Sequence, residues 1–98
     1  MLNQVILVGR IADIPKSNTE NNKKVSIVIA VPRPFKNIEG IYETDIIKCN
    51  LWNNLASNTI EYCRKGDLVG IKGRVQSNKN ESDIIAEKIT FLAESKDK

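Results

Sequence analysis

Histidine is missing from this sequence altogether, and that one gap removes a large part of protein chemistry. Without imidazole there is no serine–histidine triad, no histidine general base and no Cys/His zinc site. Cysteine occurs only twice, as Cys49 and Cys63. Two separated cysteines make no zinc site by themselves, and nothing in their placement asks for an oxidising compartment. Cys49 falls on the apolar face of a strand and Cys63 in a helical segment, so both read as small buried hydrophobes. No apolar run approaches the roughly 20 residues of a membrane-spanning helix. The opening Met1-Leu2-Asn3-Gln4-Val5 lacks the basic stretch and apolar core of a signal segment. The expectation is a soluble, cytoplasmic protein with no membrane partner. No pair of acids is marked by spacing, and Gly66, Gly70 and Gly73 do not form a phosphate-cradling loop. An enzyme is not expected, nor any cofactor or metal.

Aromatic residues are scarce, at 5% of the chain, and there is a single tryptophan, Trp52. Its placement is unusual. In Asp45-Ile46-Ile47-Lys48-Cys49-Asn50-Leu51-Trp52, successive side chains alternate between two faces. Ile47, Cys49 and Leu51 make an apolar face that reads as core. Ile46, Lys48, Asn50 and Trp52 make the other. A large aromatic beside a lysine and an asparagine suits a dry interior poorly. It suits the stacking of a nucleobase with a phosphate held nearby. The net charge of +3 is compatible with a polyanionic partner, although many proteins without one share it.

Ninety-eight residues allow one domain, whose modest core association with further copies would help to stabilise. Residues 4–12 are rich in β-branched side chains and form a first strand, interrupted by Gly9 and ending before Asp13 and Pro15. Residues 16–23 are polar and loop-like. From Lys24 to Pro32 the apolar alternation is regular, with Val25, Ile27, Ile29 and Val31 on one face. Pro32 and Pro34 are expected to end that strand, because proline cannot donate to a ladder. A loop over 33–40 leads to the third strand, about Glu43 to Trp52. Asn53 or Asn54 can cap a helix. In that helix Ala56, Ile60 and Cys63 make one apolar stripe, with Leu55 and Tyr62 beside it. Arg64 and Lys65 suit the helix's C-terminal end, and Gly66 suits a left-handed stop. Asp67 to Gln76 resumes as a strand, polar Ser77 to Ser82 turns the chain, and residues 84–92 form the last strand. Tyr42 and Tyr62 are expected to pack rather than stack.

Three strands, one helix and two strands match the connectivity of a five-stranded OB barrel, with a five-stranded sandwich as the competing architecture. Gly9, Gly70 and Gly73 favour strong bending and hence closure. The domain is expected to span 1–93, followed by a short charged tail at 94–98.

Three blocks of the sequence resemble the bacterial-type single-stranded DNA-binding protein family. Asn3-Gln4-Val5-Ile6-Leu7-Val8-Gly9-Arg10-Ile11 resembles the family's opening strand. Residues 61–75, Glu61-Tyr62-Cys63-Arg64-Lys65-Gly66-Asp67-Leu68-Val69-Gly70-Ile71-Lys72-Gly73-Arg74-Val75, resemble its helix end and fourth strand. Ile85-Ala86-Glu87-Lys88-Ile89-Thr90-Phe91-Leu92 resembles its closing strand. Each block is short, but they occur in order at the right intervals. The resemblance implies an all-β OB-fold assembling as a homotetramer, or as paired OB domains, that binds single-stranded DNA in replication, recombination or repair. It implies stacking by Phe35 and Trp52 and a phosphate contact from Lys48. Arg33, Lys36, Lys72, Arg74, Lys79 and Arg10 are the further cations expected to track the backbone.

Two departures stand out. Ile46 and Asn80 occupy positions where the family commonly has stacking aromatics. Within these 98 residues no Gly/Pro/Gln-rich linker or acidic, apolar-ended tip follows the barrel. Two readings follow, a short form such as some plasmid, phage or primosomal relatives, or a piece of a longer chain. The lost stacking positions also suit a primosomal-type OB protein, whose main task is docking replication or primosome proteins.

Overall fold

The computed structural model describes residues 1–14 and 24–95; the loop expected over 16–23 and the last three residues of the expected tail lie outside them. Five strands and one helix follow in the expected order: β1 (Val5–Asp13), β2 (Lys24–Lys36), β3 (Tyr42–Trp52), α1 (Asn53–Tyr62), β4 (Leu68–Asn78) and β5 (Glu81–Ala93). The strands close into a barrel in the order β1-β2-β3-β5-β4, so the barrel and not the sandwich is the architecture. All neighbours are antiparallel except β3 and β5, which close the barrel as a parallel pair with only two partners in register, Cys49 with Ile84 and Asn50 with Ile85.

Alternation builds the core. Ile27 and Ile29 of β2, Cys49 and Leu51 of β3, and Val69 and Ile71 of β4 are at most 1% exposed, as is Ile11 of β1. Burying each large aliphatic chain contributes roughly 1.5–3 kcal/mol. Helix α1 plugs one end of the barrel. Ala56 and Thr59 are buried there, Leu55 and Ile60 pack against the core, and the Thr59 hydroxyl donates to the Leu55 carbonyl at 2.8 Å. Cys49 and Cys63 are buried free thiols, as expected. Burial pushes the Cys49 thiol up to about 11, and burial followed by the nearby Asp67 carboxylate pushes Cys63 up as well.

Closure depends on two backbone approaches. A β-carbon on Gly9 would strike the Ala30 carbonyl, and one on Gly73 would strike the Ile85 carbonyl. Gly73 also sits at a register shift, where Lys72 faces Lys88 and Gly73 faces Ala86, so that Glu87 is the extra residue of a bulge. Gly70, by contrast, has no atom nearer than 3.8 Å to such a carbon.

Four expectations need correction. The prolines do not end β2, which runs through Pro32 and Pro34 to Lys36, with a register shift between Pro32 and Lys36. Beyond Ala30, among the described residues, β2 pairs only with β3, and in a two-stranded arm a proline can turn its missing N–H to the open edge. Neither asparagine caps α1 with its side chain. Trp52 holds the N-cap position and its side chain makes no capping hydrogen bond, and Asn53 starts the helix at φ +55°, a value asparagine tolerates. The hairpin of β4 and β5 extends further than the polar composition suggests, leaving only Lys79 and Asn80 at its tip, with Lys79 left-handed at φ +58°. Tyr42 and Tyr62 are exposed, at 59% and 69%, because one lies on the arm and the other on the last turn of α1.

After α1 the chain is held by Asp67, which the sequence does not flag, and by Arg64, which is expected at the helix's C-terminal end. Asp67 is buried and accepts hydrogen bonds from the backbone N–H of Arg64 at 2.8 Å and of Ser95 at 3.0 Å. Arg64 donates its guanidinium to the carbonyls of Glu61 and Cys63, satisfying the helix's last turn.

Candidate nucleic-acid interface

The outer face of the β2–β3 ribbon is set by parity. Because Ile47, Cys49 and Leu51 point inward, Ile46, Lys48, Asn50 and Trp52 must point outward. Their partners on β2 are Ala30, Val28, Ser26 and Lys24. Trp52 is 45% exposed, and Lys48 and Ile46 are exposed beside it. Ser26 donates its hydroxyl to the Asn50 side-chain oxygen at 2.8 Å. Val28, Ala30 and Ile46 together make a low apolar floor, with Ile46 64% exposed. The face thus offers one indole, one ammonium and one amide along a single strand.

Beyond the barrel the ribbon becomes an arm, turned by Asn37. The Asn37 side-chain oxygen accepts from the N–H groups of Glu39 and Ile41, both at 2.9 Å, and its amide donates to Glu43 at 3.0 Å. Gly40 supplies the positive φ. This fixed turn leaves Ile38 fully exposed and Ile41 and Tyr42 more than half exposed. Phe35 is 61% exposed, and Lys36 lies over the Tyr42 ring at 5.6 Å. Phe35 and Trp52 are not brought together. They stand at opposite ends of the ribbon, about 30 Å apart by the rise of a strand.

Arg33 is engaged. Its Nε lies 3.1 and 3.2 Å from the two Asp45 carboxylate oxygens, its Nη2 lies 2.8 Å from Asp45, and its Nη1 lies 3.7 Å from Glu43. The hydrogen bond to Asp45, and then the attraction of Asp45 and Glu43, raise the guanidinium further above its already high value; the same bond lowers Asp45. Asp45 follows the parity of Ile47 and Cys49, so this cluster occupies the opposite face of the ribbon from Lys48 and Trp52.

The remaining predicted cations surround the barrel. Arg10 shares the outer face through its pairing with Ala30, next to Ile46, but its guanidinium donates to the carbonyls of Gly66 at 3.1 Å and Glu94 at 3.5 Å. Lys72 is exposed on β4, between Ile6 of β1 and Lys88 of β5. Arg74 bonds Gln76 at 2.6 Å and lies 3.7 Å from Glu87. Lys79 stands at the exposed hairpin tip. Among the described residues, no group of three or more His, Cys, Asp or Glu side chains is placed to hold a metal ion, and no helix is long and apolar enough to cross a membrane.

Glu43 and Asp45 are not expected at the site from the sequence, whereas Asn50 is placed on the Trp52 face but not among the site residues. Asn50 was visible by parity. The two acids become neighbours of Arg33 only once β2 and β3 are paired around the Asn37 turn.

A closed five-stranded barrel, plugged by a helix after its third strand and bearing a half-exposed indole beside a lysine on one outer face, defines an OB-fold binding protein. The chain belongs to the single-strand binding protein family, whose family model matches residues 2–92. It is 41% identical over 85 residues to the single-stranded DNA-binding protein B of Bacillus subtilis, a match covering 85% of this chain and 75% of that protein. It is 39% identical over 103 aligned positions to the single-stranded DNA-binding protein of Halalkalibacterium halodurans, covering 94% of this chain and 61% of that one. The crystal structure of a small single-stranded DNA-binding protein from Streptomyces coelicolor shares the fold, with a TM-score of 0.70 over 94% of both chains at 22% identity. The chain therefore spans three quarters of the first relative and about three fifths of the second.

Proposed function

We propose that this protein binds single-stranded DNA with little regard to sequence, in the cytoplasm, and shields it during replication, recombination or repair. It is a binder and not a catalyst. Bases stack on Trp52 and Phe35, and Lys48, Lys72 and Lys79 are the cations best placed to meet phosphates. The observation that carries the reading is the outward-facing Trp52–Asn50–Lys48 row on an OB barrel, with Trp52 and Lys48 exposed and Asn50 half-buried between them. Stacking tolerates any base because every base has a π-face, and phosphate contacts carry no sequence information. Duplex binds poorly, because its bases cannot splay onto the rings. Membership of the family and the likeness to the Bacillus subtilis protein support the same assignment.

Assembly into a homo-oligomer, a dimer or a tetramer, belongs to the same reading. Val5–Val8 pair on one side with β4 and, among the described residues, with no strand on the other. Beside that open edge Ile6, Val8 and Leu92 are about half exposed or more. An open strand edge next to an apolar face is self-complementary across a two-fold axis.

The test is a titration of oligo-dT followed by intrinsic fluorescence, which a lone tryptophan makes site-specific. Quenching with oligo-dT and little response to duplex supports the proposal; emission indifferent to oligo-dT, with no binding by anisotropy, overturns it. Light scattering on the same sample reads the assembly state.

A further inference from the structure

The arm that carries Phe35 is poor in usable positive charge. Between Pro32 and Ile46 it holds two cations, Arg33 and Lys36, against three carboxylates, Glu39, Glu43 and Asp45. Its better cation is already spent, since both edges of the Arg33 guanidinium are turned to Asp45 and Glu43. A phosphate meeting this arm finds a net negative surface. We propose that Glu43 and Asp45 act as a charge brake on single-strand binding, holding Arg33 neutralised so that the arm contributes ring stacking without phosphate attraction. This deepens the function proposed above and rests on it.

The geometry makes the arrangement specific. Asp45 takes Arg33 through Nε and Nη2 in the side-on, two-point mode that a phosphate would also use, so the two anions compete for the same donors. Glu43 is in turn fixed by the Asn37 amide, which ties the brake to the turn that shapes the arm. All three side chains are about half exposed, so the pairing adds little stability by itself; its effect falls on the field a ligand meets. Such a device trades affinity for release, which suits a protein that must be cleared from DNA.

The test uses the full chain and fluorescein-labelled oligo-dT, with anisotropy read over a range of salt concentrations. Glu43→Gln, which leaves the two-point Asp45 contact intact, should tighten binding at low salt by about two-fold. The double variant Glu43→Gln/Asp45→Asn should tighten it by about five-fold, in line with one or two weak surface charge interactions. It should also steepen the slope of log affinity against log salt by about 0.7, one added phosphate contact. Arg33→Gln, which strips the acids of their partner, should weaken binding. A purely structural role predicts weakening in every variant, because each loosens the arm. Acid variants that bind as wild type does, or more weakly, overturn the brake while leaving the binding function in place. A wild-type protein that ignores oligo-dT overturns the function itself, and the brake with it.

Discussion

Ser26 and Asn50 face one another across the β2–β3 ribbon and share a 2.8 Å hydrogen bond, midway between Trp52 and Lys48. The bond takes up the Asn50 oxygen and so orients its amide. The ring on one side and the ammonium on the other are spaced by the rise of β3 itself.

That separation predicts two kinds of loss. Trp52→Ala should cost about 1–3 kcal/mol of oligo-dT affinity, nearly independent of salt, because stacking releases few ions. Lys48→Ala should lower affinity mainly at low salt and flatten the salt slope by about 0.7. Anisotropy titrations at several salt concentrations check both. If the two variants show the same salt dependence, the division of labour is wrong.

Ile46 lies 64% exposed on the floor it shares with Val28 and Ala30, on the Trp52 row. Since the neighbours are small, a larger ring fits there without disturbing the core. Ile46→Trp should raise affinity by about 1–3 kcal/mol, the worth of one added stacking platform. Tryptophan quenching should grow in proportion; an unchanged dissociation constant would show that the strand does not pass over this floor.

Gly73 and Gly70 should respond in opposite ways to alanine. At Gly73 the new methyl meets the Ile85 backbone at the bulge; at Gly70 it has room. Gly73→Ala should destabilise the fold by about 1–3 kcal/mol or more, and Gly70→Ala by well under 1. Thermal denaturation of the pair checks this, with failure of Gly73→Ala to fold counting as the extreme of the same outcome.

Both thiols should be inert in the folded protein. Cys49 is fully buried and its thiol pushed up to about 11, so at pH 8 it is neither ionised nor reachable. A thiol-specific reagent should modify Cys49 and Cys63 only after denaturant is added. The sign of the linkage follows. The unfolded thiol ionises near its ordinary value, while the folded one keeps its proton to higher pH. Stability from this group is thus present below the unfolded value and drains away as pH rises toward about 11.

Much of the barrel was legible because alternation is a local property. Val25, Ile27, Ile29 and Cys49, Leu51 announce an inner face in the sequence itself, and the same parity sends Trp52 outward. What misled was local chemistry read without its setting. Pro32 and Pro34 forbid a central strand, yet the arm they lie in has open edges. Asn53 and Asn54 are good caps, yet the chain enters α1 through a left-handed residue instead. Polar Ser77 to Ser82 suggests a loop, but a two-stranded hairpin can be polar on both faces where no core lies beneath it. The pairing of Arg33 with Asp45 depends on register across a turn, which composition does not reveal.

Only two rungs join β3 to β5, and Asn50 forms one of them while also standing in the row beside Trp52. The hoop is fastened by a very short clasp, and one link of that clasp belongs to the proposed gripping surface. A strand held along that row should also keep the hoop from springing apart, so occupancy should register as resistance to heat throughout the barrel.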